Sequence, residues 1–194
     1  RGTVMVLGNG EILAHSLENS TTVTQIAAVD IDLDTLTYTV SGTAGALFSV
    51  DSRSVLLSFV SPPDYENPLD SNFDNIYELI VSASDPDGGV ATRAMRVIVG
   101  DQNEAPELAG GPVIGLVSQE NQAFVSNVVA FDEDGDPLTY AIAGGADQSL
   151  FQINSANGAL SFLQAPDFET LADANQDGQY LVEVTASDGT FTVT

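Results

Sequence analysis

Carboxylates are the side chains in this sequence that have chemistry to offer. Asp and Glu number 28 against four Arg and no Lys, a formal net charge of −24. They stand in short polar runs: Glu18-Asn19, Asp64-Tyr65-Glu66, Asp101-Gln102-Asn103-Glu104, Asp132-Glu133-Asp134-Gly135-Asp136 and Ser187-Asp188. An oxygen-only donor set suits a hard divalent cation. Calcium takes about six to eight oxygens from carboxylates, amide oxygens and carbonyls, at about 2.3–2.6 Å. Magnesium demands a tighter octahedron, and zinc prefers nitrogen or sulfur. Paired carboxylates also serve glycosidase-type hydrolysis as acid and base. Here the same acids are better explained as ligands.

Other chemistries lack their residues. With no Cys there is no disulfide, thiol nucleophile or cysteine-held zinc. With no Lys there is no phosphate-loop lysine or Schiff base. No Trp offers a stacking platform for a sugar. The lone His15 sits in an alternating stretch and reads as an outward strand residue. An enzyme is therefore not expected. So acidic a chain has almost nothing to neutralise phosphates, which argues against nucleic acid and anionic membrane surfaces. No run approaches the ~20 apolar residues of a membrane-spanning helix. Hydrophobic residues still make up 43% of the chain, enough to bury a core.

The elements that position the acids come twice. Leu36-Thr37-Tyr38 recurs as Leu138-Thr139-Tyr140, and Glu18-Asn19 as Glu120-Asn121, each at an offset of 102. Leu47-Phe48, Pro63-Asp64-Tyr65-Glu66 and Ala83-Ser84-Asp85 recur at 103 as Leu150-Phe151, Pro166-Asp167-Phe168-Glu169 and Ala186-Ser187-Asp188. Five anchors in one order mean one unit present twice. Tyr77, Leu79, Val81 and Ala83 alternate with Glu78, Ile80, Ser82 and Ser84, and Tyr180 to Ala186 repeat the pattern. That period marks half-buried strands. Val23 to Val29, Leu36 to Val40, Leu56 to Val60 and Val90 to Val99 read as further strands, and Asn157-Gly158 as a hairpin turn. The expected fold is all-β, with about seven short strands per unit and sandwich spacing. The units span 1–103 and 104–194, joined by a short polar linker that ends at Pro106. The second copy breaks off in its last strand, so further repeats are expected beyond both ends.

If short turns join antiparallel neighbours, the direction alternates along each unit. The turns after the first and fifth strands, and the exit of the seventh, then share one end. They carry Glu18, Asp64, Glu66 and the linker acids Asp101 and Glu104. The turns after the second and sixth strands share the other end, and in the second unit they carry Asp132, Asp134 and Asp188. All eight are expected at one junction, with the amides of Gln102 and Asn103. Eight carboxylates there would repel or take up protons without a counter-charge.

Ala28-x-Asp30-x-Asp32, Leu36-Thr37-Tyr38, Pro63-Asp64-Tyr65-Glu66, Ala83-Ser84-Asp85 and Asp101-Gln102-Asn103-Glu104-Ala105-Pro106 together resemble the signature set of cadherin repeats. The resemblance covers nearly the whole chain. It implies two tandem Greek-key β-sandwiches with calcium ions bridging each junction. By position it implies ligation from Glu18, Asp64 and Glu66, from Asp101, Asn103 and Glu104, from the carbonyls of Gln102 and Ala105, and from Asp132, Asp134 and Asp188. It assigns Asp30, Asp32 and Asp85 to an upstream junction, and Glu120, Asp167 and Glu169 to a downstream one. Ala105 stands where animal cadherins carry Asn, and Glu104 where Asp is commoner. The Asp132–Asp136 turn is short, so Asp136 is the candidate to replace a backbone ligand near Gly135. Without Trp the chain cannot exchange a tryptophan-bearing first strand as animal classical cadherins do.

Asp173-Ala174-Asn175-Gln176-Asp177-Gly178 matches the first six positions of a calcium-binding EF loop, with Asp173, Asn175 and Asp177 as its ligands. Asp70-Ser71-Asn72-Phe73-Asp74-Asn75 is its degenerate copy. Val184 stands where the closing Glu belongs, so a solvated Asx-rich turn explains the motif equally well. This extended loop looks more like repeats of large bacterial surface adhesins than animal cadherins. The expected function is that of a calcium-dependent, extracellular cell-surface segment stiffened for adhesion, its partners calcium, neighbouring repeats, and another surface protein or glycan. The rival is a direct carbohydrate-binding or homophilic module that uses Tyr38, Tyr140 and Phe side chains.

Overall fold

The structure is a computed structural model and describes residues 4–6 and 10–194. It divides into two compact units, Arg1–Gln102 and Asn103–Thr194, one residue earlier than the linker reading sets the boundary. No α-helix occurs among the described residues.

The first unit holds β1 (Val4–Val6), β2 (Ile12–Leu17), β3 (Thr22–Gln25), β4 (Thr37–Ser41), β5 (Phe48–Val50), β6 (Leu56–Phe59), β7 (Ile76–Ser84) and β8 (Val90–Gly100). One sheet runs β1-β2-β8-β7-β4 and the other β3-β6-β5. All pairs are antiparallel except β2 with β8, which run parallel from Ile12↔Met95 to Leu17↔Gly100. Strand alternation sets the core. In β7, Tyr77, Leu79, Val81 and Ala83 are buried while Glu78 and Ile80 face solvent. They meet Val23, Phe48, Leu57, Phe59, Met95, Val97 and Val99 between the sheets. Phe48, Phe59 and Tyr77 interlock, with ring centroids 4.2, 5.2 and 6.0 Å apart. His15 is exposed on β2.

The second unit holds β9 (Glu107–Leu108), β10 (Phe124–Asn127), β11 (Ala130–Phe131), β12 (Thr139–Gly144), β13 (Phe151–Ile153), β14 (Ala159–Phe162), β15 (Glu183–Ser187) and β16 (Thr192–Val193). Its sheets are β10-β14-β13, β12-β15-β16 and the pair β11-β9. The hairpin between β13 and β14 turns at Gly158, where φ is +68° and the Val128 carbonyl leaves no room for a Cβ. Phe151, Phe162 and Tyr180 repeat the aromatic cluster at 4.4, 4.9 and 6.3 Å. The rest of this core opens into a groove of about 800 Å³ that also reaches Leu160, Val182 and Val184. No strand is formed over 114–119, the run that corresponds to β2.

Two strands are shorter than the alternation suggests, for local reasons. β3 ends at Gln25 because Tyr38 Oη accepts from the Ala28 amide and Asp30 Oδ1 from those of Asp32 and Asp34, which draws the chain into a turn. β15 starts at Glu183 rather than Tyr180 because Leu181 bonds Asp147 through both its N–H and its C=O.

Leu57 is 0% exposed between the sheets. Leu57→Ala is expected to cost about 2–5 kcal/mol, enough to lower the first unit's melting temperature by roughly 10 °C or more. The exposed Val60→Ala should change it little; equal shifts from the two would show that Leu57 is not sealed in a core.

Candidate metal centres

Each unit gathers carboxylates at its strand ends and holds them with backbone N–H groups. In the first unit β2 ends on Glu18, whose N–H bonds the Gly100 carbonyl at 3.1 Å. Asn19 then adopts φ +56° and donates to the Pro63 carbonyl at 3.0 Å, which fastens this turn to the one after β6. The Glu18 carboxylate is 3% exposed. Its Oε2 accepts from the Tyr65 amide at 2.9 Å and its Oε1 from the Gln102 amide at 2.8 Å. Oxygens of Glu18, Asp64 and Glu66 lie within 4.8 Å of one another. Like charges this close repel, less where Glu66 is exposed to water, and a cation among them would relieve that repulsion. Asp101 and Gln102 are exposed beside this end in sequence.

The same end of the second unit repeats the plan. Asn121 has φ +60° and donates to the Pro166 carbonyl at 2.8 Å, and Glu120 Oε2 accepts from the Phe168 amide at 3.3 Å. Glu120, Asp167 and Glu169 form a triad within 4.8 Å, all exposed.

The opposite end of the second unit collects the linker. Asn103 Nδ2 donates to Asp188 Oδ2 at 2.8 Å, and the Glu104 amide donates to Asp134 Oδ2 at 2.9 Å. Asp188 Oδ1 accepts from the Thr190 and Phe191 amides at 2.6 Å. Burial would raise the Asp188 carboxyl; the Asn103 side chain and the Phe191 and Thr190 amides outweigh it and hold the group below the usual aspartate range. Asp132 Oδ1 accepts from the Asp136 amide, while the Asp136 side chain faces solvent. Asp132 Oδ2 and Asp134 Oδ1 are buried with no hydrogen-bond donor. A buried carboxylate oxygen without a partner is costly, and a cation is the partner this oxygen-only set fits. Ala105 is exposed, and Pro106 is buried.

At the first unit's corresponding end, Asp30 and Asp85 each cap a turn, Asp85 Oδ1 accepting from the Gly89 amide at 2.8 Å. Asp30, Asp32 and Asp85 form no triad within 4.8 Å.

Asp173, Asn175 and Asp177 share one tight loop, and Asp70, Asn72 and Asp74 another of the same shape. Asp177 N donates to Asp173 Oδ2, and Asp74 N to Asp70 Oδ2. Burial pushes the Asp70 carboxyl up, but amides of Asp74, Asn72 and Asn75 pull it below the ordinary value. Pattern reasoning passed over Asp147. It is 4% exposed and accepts from the Ala174 and Leu181 amides, both at 2.7 Å. The one signal for it is a difference between the copies: Ala44 stands at its place in the first unit.

The Bacterial Ig domain family matches residues 103–194. The Fat-like cadherin-related tumor suppressor homolog of Drosophila melanogaster is 28% identical over 182 residues, 87% of this chain. Protein dachsous of the same fly is 30% identical over 162 residues, 75% of the chain. Among solved structures, human protocadherin-24 EC1-2 superposes with a TM-score of 0.59 at 24% identity, over 97% of this chain and 88% of that one. Mouse cadherin-23 EC22-24 gives 0.55 at 20% identity, over 98% and 61%. These are cadherin-like repeats. The chain spans 4% of the length of the two fly relatives. At these identities the solved structures speak for the fold of the repeats, and that fold is all-β in both.

Because Asp70 and Asp188 titrate lower folded than unfolded, their contribution is full above about pH 4 and is lost as pH falls through the lowered values. In chelator, stability from urea unfolding should hold down to about pH 4 and then drop. Asp70→Asn should lose stability at neutral pH and show a shallower acid drop. An acid limb of unchanged steepness would sink that assignment.

Proposed function

We propose that these cadherin-like repeats are a calcium-stiffened, non-enzymatic segment of an extracellular adhesion protein, of the kind large bacterial surface adhesins carry. In this reading Glu18, Asp64 and Glu66 of the first unit, Asp101, Asn103, Glu104 and the Gln102 and Ala105 carbonyls of the linker, and Asp132, Asp134 and Asp188 of the second unit hold calcium between successive repeats. Asp30, Asp32 and Asp85 serve a preceding repeat, and Glu120, Asp167 and Glu169 a following one. Asp136 adds a carboxylate to the rim.

One observation carries the reading. Consecutive linker residues are tied to acids of different units: Gln102 to Glu18, then Asn103 to Asp188 and Glu104 to Asp134. The buried, donorless oxygens of Asp132 and Asp134 add a demand for positive charge that no ion pair meets among the described residues. The similarity to cadherin ectodomains supports the extracellular adhesive setting. The match to a Bacterial Ig domain supports the bacterial one. Tyr38 and Tyr140 are half-buried and their hydroxyls hold the Ala28 and Ala130 amides, which leaves little of either for a glycan-binding face.

Calcium at a hundredfold over its dissociation constant adds about 2.7 kcal/mol, so melting should rise by roughly 10 °C over chelator for units of this size. Small-angle scattering should show an extended, narrow distribution of dimensions with calcium and a broader one without. Asp134→Ala should need more calcium to reach the extended profile, with its strand signal by circular dichroism intact. Identical scattering with calcium and with chelator would end the stiffening reading.

A further inference from the structure

The loop that follows Asp173 lies within the second unit and serves none of the ligand sets proposed above. Its first, third and fifth positions are Asp173, Asn175 and Asp177. Gln176 and Gly178 take φ +58° and +75°. Asn175 Nδ2 donates to Asp177 Oδ2 at 2.8 Å, which leaves the Asn175 carbonyl oxygen clear of that bond.

Such a turn is by itself only a turn. Asp173 makes the difference. It is 3% exposed; Oδ2 accepts from the Asp177 amide, and Oδ1 is buried with no donor. Asp147, from the segment before the 3₁₀ turn Gln148–Leu150, packs a second buried carboxylate against the loop. Both its oxygens are taken by the Ala174 and Leu181 amides, so it shapes the loop without relieving Asp173. No ion pair reaches either acid among the described residues.

The first unit shows the loop with that demand removed. Asp70 Oδ1 accepts from the Asn75 amide, and Oδ2 from those of Asn72 and Asp74. Ala44 replaces Asp147 and borders an open cleft of about 450 Å³. The same Asp-x-Asn-x-Asp spacing is therefore satisfied by backbone in one copy and left one donor short in the other.

We propose that the Asp173–Gly178 loop binds one calcium ion within the second repeat, through Asp173, Asn175 and Asp177, independently of the linker set. The Gln179 carbonyl stands at the seventh position of the loop, where calcium loops supply a backbone oxygen. Water completes the shell, because Val184 occupies the closing position. Asp147 acts as a positioning residue that fixes both ends of the loop.

Amide-resolved NMR of the whole chain titrated with calcium chloride tests this, with magnesium chloride as control. Asp177, Gly178 and Gln179 amides should shift with calcium at lower concentration than with magnesium, and before the first unit's Asp74 and Asn75 amides. Asp173→Asn keeps an acceptor for the Asp177 amide and removes the charge; it should raise the loop's midpoint at least about tenfold, or about 1.4 kcal/mol. The midpoint at Asn103, Thr190 and Phe191 should stay put. Should Asp173→Asn lose its folded spectrum, the exposed Asp177→Asn carries the same expectation. Loop amides that stay still at millimolar calcium, or keep their midpoint in both variants, overturn the proposal. Loop shifts without linker shifts uphold it while removing the junction reading.

Discussion

Negative charge without matching positive charge is the constraint on which this structure depends. Among 194 residues, four Arg face 28 acids. Arg96 pairs with Glu11 and Glu78, and most other acids that are bonded meet backbone N–H groups instead. Asp51 takes the amides of Arg53 and Ser54, Asp70 three amides, Asp188 two, and Glu18 two, one on each oxygen. Charge-assisted bonds of this kind are roughly twice as strong as neutral ones. They also leave a remainder. Where the turn runs out of N–H groups, an oxygen stays bare, as at Asp132, Asp134 and Asp173. Those remainders are unmet demands for positive charge.

The turns can do this because the cores hold them still. Both units interlock two Phe with a Tyr at nearly the same distances, and the residues that flank those rings lead into the acidic loops. In the first unit Tyr77 packs on Phe48 and Phe59 while its hydroxyl accepts from the Leu69 amide, so one side chain joins the core to the loop that holds Asp70. The parallel pairing of β2 with β8 ends at Leu17↔Gly100, which sets Glu18 in reach of the Gln102 amide. Register in the sheet thus becomes ligand position at its edge. The second unit keeps the aromatic cluster, and its counterpart acid Glu120 is exposed, with a longer bond of 3.3 Å from the Phe168 amide.

Much of this was legible before any coordinates. Doubling of the anchors revealed the repeat, and alternation in Tyr77–Ala83 assigned the face of β7. Turn residues were harder, because alternation says which way a strand side chain points and nothing about what a loop carboxylate accepts. Asp147 is one acid in a run that reads as a connection; only the chain's return at Leu181 gives it a role. The shortened β3 and β15 have the same cause: Asp30, Tyr38 and Asp147 divert backbone groups that the hydrophobic pattern assigned to ladders. Asp30 and Asp85, which the family resemblance assigns to an upstream junction, each cap a separate turn through one carboxylate oxygen, a role the resemblance alone does not show.

Division of labour between core and turns has a consequence for how such a segment evolves. A ligand oxygen that hangs from a strand end, anchored by a neighbouring N–H, can be lost or gained without disturbing the sandwich. Ala44 against Asp147, and Asn75 against Gly178, show how far turn residues differ between copies that share the same aromatic cluster. The polar groups of a turn can then differ from repeat to repeat along one chain at little cost in folding. The limit on this freedom is electrostatic. Each added acid must find an N–H or a cation, since a third carboxylate within 4.8 Å of two others already weighs against the folded state. With no Lys to supply the counter-charge from within, the chain has given much of that task to its own backbone N–H groups.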